Sequence, residues 1–63
     1  MKEYLKIIKG LRAKHDFTQK QAADVLKLSE VTYRSREKGD TEFTMEEVLK
    51  LLDCWGESLT VFL

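Results

Sequence analysis

Apolar positions recur at helical spacing from the start of the chain. Tyr4, Ile8, Leu11 and His15 fall at i, i+4, i+7 and i+11, with Leu5 and Ile7 beside them, which predicts a helix over residues 2–15 and a stripe facing a core. Asp16 follows where a helix end favours a left-handed residue, a conformation Asp tolerates better than most non-glycine residues. Thr18 and Gln21 have capping-box spacing and predict a second helix running to Leu26. Ala22 and Ala23 are small where another helix must approach, and Leu26 and Leu28 bracket a tight connection through Lys27. Ser29 caps a third predicted helix that runs to Lys38, with Tyr33 as its inward anchor.

Gly39-Asp40 breaks that pattern. Thr44 and Glu47 form a second capping box, and Phe43 faces Val48 as a hydrophobic staple. The fourth helix draws its apolar face from Val48, Leu49, Leu52 and Trp55, with Met45 joining from the first turn, and Gly56 ends it. The tail, Ser58 to Leu63, is short enough to be a last helix or, with its Thr, Val and Phe, an extended strand.

With 63 residues the chain reads as one domain, residues 1–63, and a domain of that size buries only about 60% of the surface its unfolded form exposes. A partner subunit would add to a modest stability. No apolar run approaches the roughly 18 residues of a membrane span, and the first residues start no signal peptide, so a soluble, cytoplasmic protein is expected. Cys54 is the only cysteine and His15 the only histidine, which leaves no internal disulfide and too few ligands for zinc. Neither has an activating neighbour in the pattern. His15 reads as a helix-end residue and Cys54 as core or interface filler, and no enzyme, metal, cofactor or small-molecule substrate is expected.

The formal net charge of zero conceals a division. Residues 1–38 carry ten Lys/Arg against five Asp/Glu, whereas residues 39–63 carry Lys50 alone against six acids. A basic half and an acidic half would orient the molecule toward a polyanion without making it adhere to every one.

Two short helices joined by a tight turn, with small residues at the crossing, make a helix-turn-helix candidate over residues 18–38. Leu11-Arg12, Phe17-Thr18-Gln19, Ala23, Leu26, Leu28-Ser29, Thr32-Tyr33 and Glu37-Lys38-Gly39 resemble, in order and spacing, the Cro/repressor-type (lambda-repressor-like) helix-turn-helix family of phages and bacteria. Phe43-Thr44 and Glu47 extend the resemblance toward the short prophage regulators of Gram-positive bacteria. It spans residues 4–58 and implies an all-α domain of four or five helices, a sequence-specific transcriptional regulator in the bacterial host cytoplasm, associated with the nucleoid when bound. Three positions depart from the family. Lys27 stands where the turn usually has Gly, Arg36 where an apolar residue is usual, and Glu30 puts an acid at the start of the reading helix.

The resemblance assigns the DNA-backbone grip to Thr18, Gln19 and Lys20 at the second helix's N-terminus, which uses the positive end of the helix dipole. Arg36, Lys38, Thr41 and Thr44 are further phosphate candidates. Glu30, Val31, Thr32, Arg34 and Ser35 face outward for base reading: Arg34 suits guanine, Val31 or Thr32 a thymine methyl, and Glu30 a cytosine amino group. Arg12 and Glu37 match family positions that form a structural ion pair. The implied partner is double-stranded operator DNA with two-fold symmetry, bound by a homodimer through the acidic half at Leu51, Trp55, Val61, Phe62 and Leu63. The competing reading is a protein-interaction module of the same fold, antirepressor or antitoxin-like, suggested by the zero net charge, Glu30 and an exposed Val31.

Overall fold

Three of the helices begin on a hydroxyl. In the computed structural model, which describes residues 2–63, α1 spans Glu3–Lys14, α2 Gln19–Leu26, α3 Glu30–Lys38 and α4 Met45–Trp55, followed by a 3-10 turn at Leu59–Phe62. Thr18, Ser29 and Thr44 each accept a hydrogen bond from the backbone N–H three residues on, and Gln21 and Glu47 return the bond to complete capping boxes on α2 and α4. Each box satisfies two N–H groups that the helix itself cannot.

The helices stop at left-handed residues. Gly39 (φ 98°) and Gly56 (φ 67°) end α3 and α4; the positive φ favours glycine at both, and a Cβ at Gly39 would also lie 3.3 Å from the Leu5 side chain, which would have to give way slightly. Asp16 and Lys27 adopt φ 58° without being glycine. Lys27 therefore carries the left-handed strain inside the helix-turn-helix, at the position where the sequence resemblance leads one to expect Gly. Lys27→Gly should stabilise the chain by about 0.5–1 kcal/mol, since the strain relieved exceeds the extra freedom glycine gains on unfolding. Thermal denaturation should show a midpoint roughly 3–6 °C higher; an unchanged or lower midpoint would contradict the assigned turn.

The core gathers Leu5 and Ile8 from α1, Ala22, Ala23 and Leu26 from α2, Tyr33 from α3, Phe43 from the connection, and Val48, Leu51, Leu52 and Trp55 from α4. The two alanines let α2 lie close against both α3 and α4, while α1 packs on α3 and on the terminal turn. Trp55 is held between His15, stacked at 6.1 Å, and Phe17, edge-on at 5.9 Å.

Several residues of α4 differ from the sequence reading. Leu51, expected as a spare surface residue for dimerisation, is 1% exposed, and Leu49, expected inside, is 44% exposed. The buried set Val48, Leu51, Leu52 and Trp55 follows i, i+3, i+4 and i+7, so the stripe anchored on Val48 excludes Leu49. Trp55 is likewise core rather than surface, Met45 is exposed, and Cys54 lies on the outside of the helix. The tail is a 3-10 turn with Val61 and Phe62 partly buried against the core and Leu63 exposed. No strand occurs among the described residues, and the tail forms the helical alternative.

Candidate nucleic-acid interface

The segment α2, the turn at Lys27 and α3 forms a helix-turn-helix whose two N-termini are capped by Thr18 and Ser29. In α2 the N–H of Gln21 goes to Thr18 Oγ1 and that of Ala22 to the Thr18 carbonyl. The N–H groups of Gln19 and Lys20 have no partner within the helix. They open the positive end of α2 to an anion, with the Gln19 and Lys20 side chains beside them.

Behind this opening lies a buried carboxylate. Glu37 is 1% exposed and accepts four side-chain hydrogen bonds: from Arg12 Nε (3.0 Å) and Nη2 (3.1 Å), from Gln19 Nε2 (3.1 Å) and from the Tyr33 hydroxyl (2.7 Å). Arg12 Nη1 also donates to the Phe17 carbonyl at 2.9 Å, which ties the α1–α2 connection to the same centre. Burial alone would raise the carboxyl's pKa, but the donors from Arg12, Tyr33 and Gln19 outweigh it and hold the pKa below the ordinary 4.5. Burial, then the bond to Glu37, pushes the Tyr33 phenol well above its ordinary 10.0.

These shifts make the stability of the fold depend on pH at both ends. A lowered carboxylate pKa gives stability that is present above 4.5 and lost as pH falls through the folded value; a raised phenol pKa gives stability present below 10.0 and lost as pH rises. Denaturant titrations across pH should therefore show a plateau with both limbs descending, and Tyr33→Phe should reduce the alkaline limb. An alkaline limb unchanged in that variant would place its origin elsewhere.

The outer face of α3 connects to this centre through one chain of contacts. Arg34 Nε donates to Gln19 Oε1 at 3.0 Å, and Arg34 Nη2 to Glu30 Oε2 at 2.8 Å. Gln19 thus has its carbonyl on Arg34 and its amide nitrogen on buried Glu37. The acid at the head of α3 has its compensating cation one helical turn away on the same face. Val31 stands beside them at 76% exposure. Thr32 and Ser35 are half-buried, and the Thr32 hydroxyl accepts from Ser29, whose oxygen caps α3.

Arg36 differs from expectation. It was expected to extend toward phosphate, but its side chain is 19% exposed and donates to Glu47 from Nε (2.9 Å) and Nη2 (3.3 Å) and to Thr41 Oγ1 from Nη1 (3.0 Å). Glu47 also closes the α4 capping box with Thr44, so its charge needs a counter-ion and Arg36 supplies it. Arg36 with Thr41 thus ties α3 to Glu47 at the head of α4, where Thr44 is the cap. Lys20 and Lys38 are exposed, with Asp24 at 3.7 Å and Asp40 at 3.8 Å. Pairs this exposed are weak and exchange readily for another anion.

The helix-turn-helix family model matches residues 8–62, nearly the whole of this framework. The chain belongs to the Cro/repressor-type helix-turn-helix family. As a member it is a DNA-binding transcription regulator of the helix-turn-helix type. Comparison with curated proteins and with solved structures returned no match. Among the described residues no helix is long and apolar enough to cross a membrane.

Within this family member, sequence reasoning missed the connections more than the residues. Tyr33 and Glu37 are four apart on α3, and so are Glu30 and Arg34, so their contacts carried a helical-spacing signal. The bonds of Gln19 to Arg34 and Glu37 join separate elements and carried none. At the opposite end, His15 Nε2 lies 2.8 Å from Glu57 Oε2 and Lys14 Nζ 3.0 Å from the same oxygen, tying the end of α1 to the residue after Gly56. Those two contacts, the His15 bond first, lower the Glu57 pKa.

Proposed function

We propose that this chain is a sequence-specific transcriptional regulator of the phage or prophage type, which reads operator DNA by placing α3 in the major groove while the N-terminus of α2 holds the adjacent phosphate. What supports it most is the outer face of α3, where an exposed Val31 sits between Glu30 and Arg34, next to the open N-terminus of α2. An apolar β-branched side chain on a charged helix face suits a thymine methyl, and an arginine already oriented by Gln19 suits the guanine edge. Thr18, the backbone N–H groups of Gln19 and Lys20, and the Lys20 side chain grip the DNA backbone, and Lys38 reaches the next phosphate.

The regulator acts as a homodimer on a two-fold site. One helix-turn-helix of this size offers little contact area for specific affinity, and doubling it supplies the remainder. With Leu51 and Trp55 inside the core, the dimer surface consists of Leu49, Leu59 and Leu63, with Val61 and Phe62 beside them. Leu59 stands between two shallow cavities, one lined mainly by Tyr4, Phe43, Val48 and Phe62, the other by Leu49, Leu52 and Glu57. Selection from randomised duplexes, followed by sedimentation of the recovered complex, tests this. The expected result is an inverted repeat with half-sites about one helical turn apart (roughly 34–36 Å) and two chains per duplex. One chain per duplex on an asymmetric site would contradict the dimer.

A further inference from the structure

Arg34 is held from two sides before any DNA arrives. Its Nε is committed to Gln19 Oε1 and one Nη2 proton to Glu30 Oε2, and Gln19 is itself fixed to the buried Glu37. Both Nη1 protons and the second Nη2 proton remain, which is the donor edge a guanine's O6 and N7 accept. Glu30 has spent one carboxylate oxygen on Arg34, and Oε1 is left as an acceptor at the front of α3.

A bare acceptor at that place is selective. Phosphates, guanine O6 and N7 and thymine O4 are all acceptors and repel it. Only cytosine N4 and adenine N6 donate into the major groove, and adenine's neighbouring N7 acceptor disfavours a carboxylate. We propose that Glu30 and Arg34 form one reading unit for a guanine with a cytosine amino group beside it, Glu30 being the specificity-determining member because it disfavours every duplex that lacks that amino group. The inference rests on the proposed entry of α3 into the major groove.

Glu30 thereby subtracts from affinity for DNA in general and returns it at the correct site. The carboxylate lowers the net charge of the reading face by one unit wherever the protein lands, and it screens Arg34 from phosphates, the most abundant wrong ligand. At a site with the cytosine amino group, Oε1 gains a hydrogen bond and Arg34 keeps its orientation. The discrimination arises from a repulsive element set beside an attractive one.

Glu30→Gln is the direct test, since it keeps an oxygen for Arg34 and removes the charge. The full chain and the variant are compared by selection from randomised duplexes and by anisotropy titration on a selected and an unrelated duplex at several salt concentrations, with circular dichroism as the check on folding. Wild type should select a guanine with an adjacent cytosine amino group in each half-site. The variant should lose at least about fivefold of its discrimination at that base pair alone, bind the unrelated duplex more tightly, and show a salt slope steeper by roughly 0.9 per chain. A merely structural role for Glu30 at the helix dipole would shift the melting temperature and leave base preference intact. A folded variant with wild-type base preference and wild-type affinity for unrelated DNA overturns the inference while the DNA-reading role stands. Binding by neither protein overturns both.

Discussion

Glu37→Ala is expected to cost about 3 kcal/mol of stability, through the Arg12 guanidinium, the Tyr33 hydroxyl and the Gln19 amide that lose their acceptor together. The figure lies at the low end for breaking a buried ion pair because Arg12 keeps 20% of its side chain exposed and can turn toward water. A chain of this length is stable by roughly 3–9 kcal/mol in all, so the variant should be largely unfolded under mild denaturant. Glu37→Gln should lose less, because one oxygen still accepts while its amide faces donors it cannot satisfy. Urea denaturation followed by circular dichroism measures both. An alanine variant within 1 kcal/mol of wild type would mean that Glu37 is not the centre that joins α1, α2 and α3.

The second large effect concerns recognition. Arg34→Ala should reduce affinity for the selected site by about 10- to 100-fold for each half-site, the worth of a good bidentate base contact, with the loss confined to one base position in each. Its effect on stability should stay within about 0.5 kcal/mol, since both groups of its pair with Glu30 reach solvent. Lys20→Ala and Lys38→Ala should instead weaken binding evenly across sequences and each reduce the salt slope by about one unit per bound chain. A uniform loss for Arg34→Ala would make Arg34 a phosphate contact and remove the basis for its pairing with Glu30 as a reader.

The fold was legible because its boundaries are written in local chemistry. Thr18 with Gln21, Ser29, and Thr44 with Glu47 each announce a helix start within a few residues, and Gly39 and Gly56 announce ends. Where two apolar choices competed, the sequence was less decisive. Leu49 and Leu51 lie within two residues of each other on α4, and only the position of the neighbouring helices decides which is buried. The tail was too short for a period to emerge, and its contact with the core determined its shape.

The candidate interface was legible in its residue types and obscure in its pairings. Glu30 and Arg34 share a helix face, so an ion pair between them follows from spacing. Arg36 gave the opposite lesson. On α3 alone it looks free to extend, and its partner Glu47 lies across a loop on α4, already engaged with Thr44. Gln19 is the most informative case, because its amide has two ends and both are occupied: one reaches the buried carboxylate and the other reaches Arg34. From the sequence alone, its place at the start of α2 reads only as a candidate phosphate contact. Only the tertiary structure makes it the link between the core and the reading face.

The central claim is that α2 and α3 present a DNA-reading surface, and its most direct test is a fluorescence-anisotropy titration of the full chain against operator-sized duplexes over a range of salt concentrations. Saturable binding is expected, with log affinity falling linearly with log salt at a slope of roughly −3.6 to −5.4 for two chains each neutralising two or three phosphates. A folded sample that shows no saturable binding at the lowest salt would contradict the claim, and would turn Glu30 and the exposed Val31 and Arg34 toward a protein partner instead.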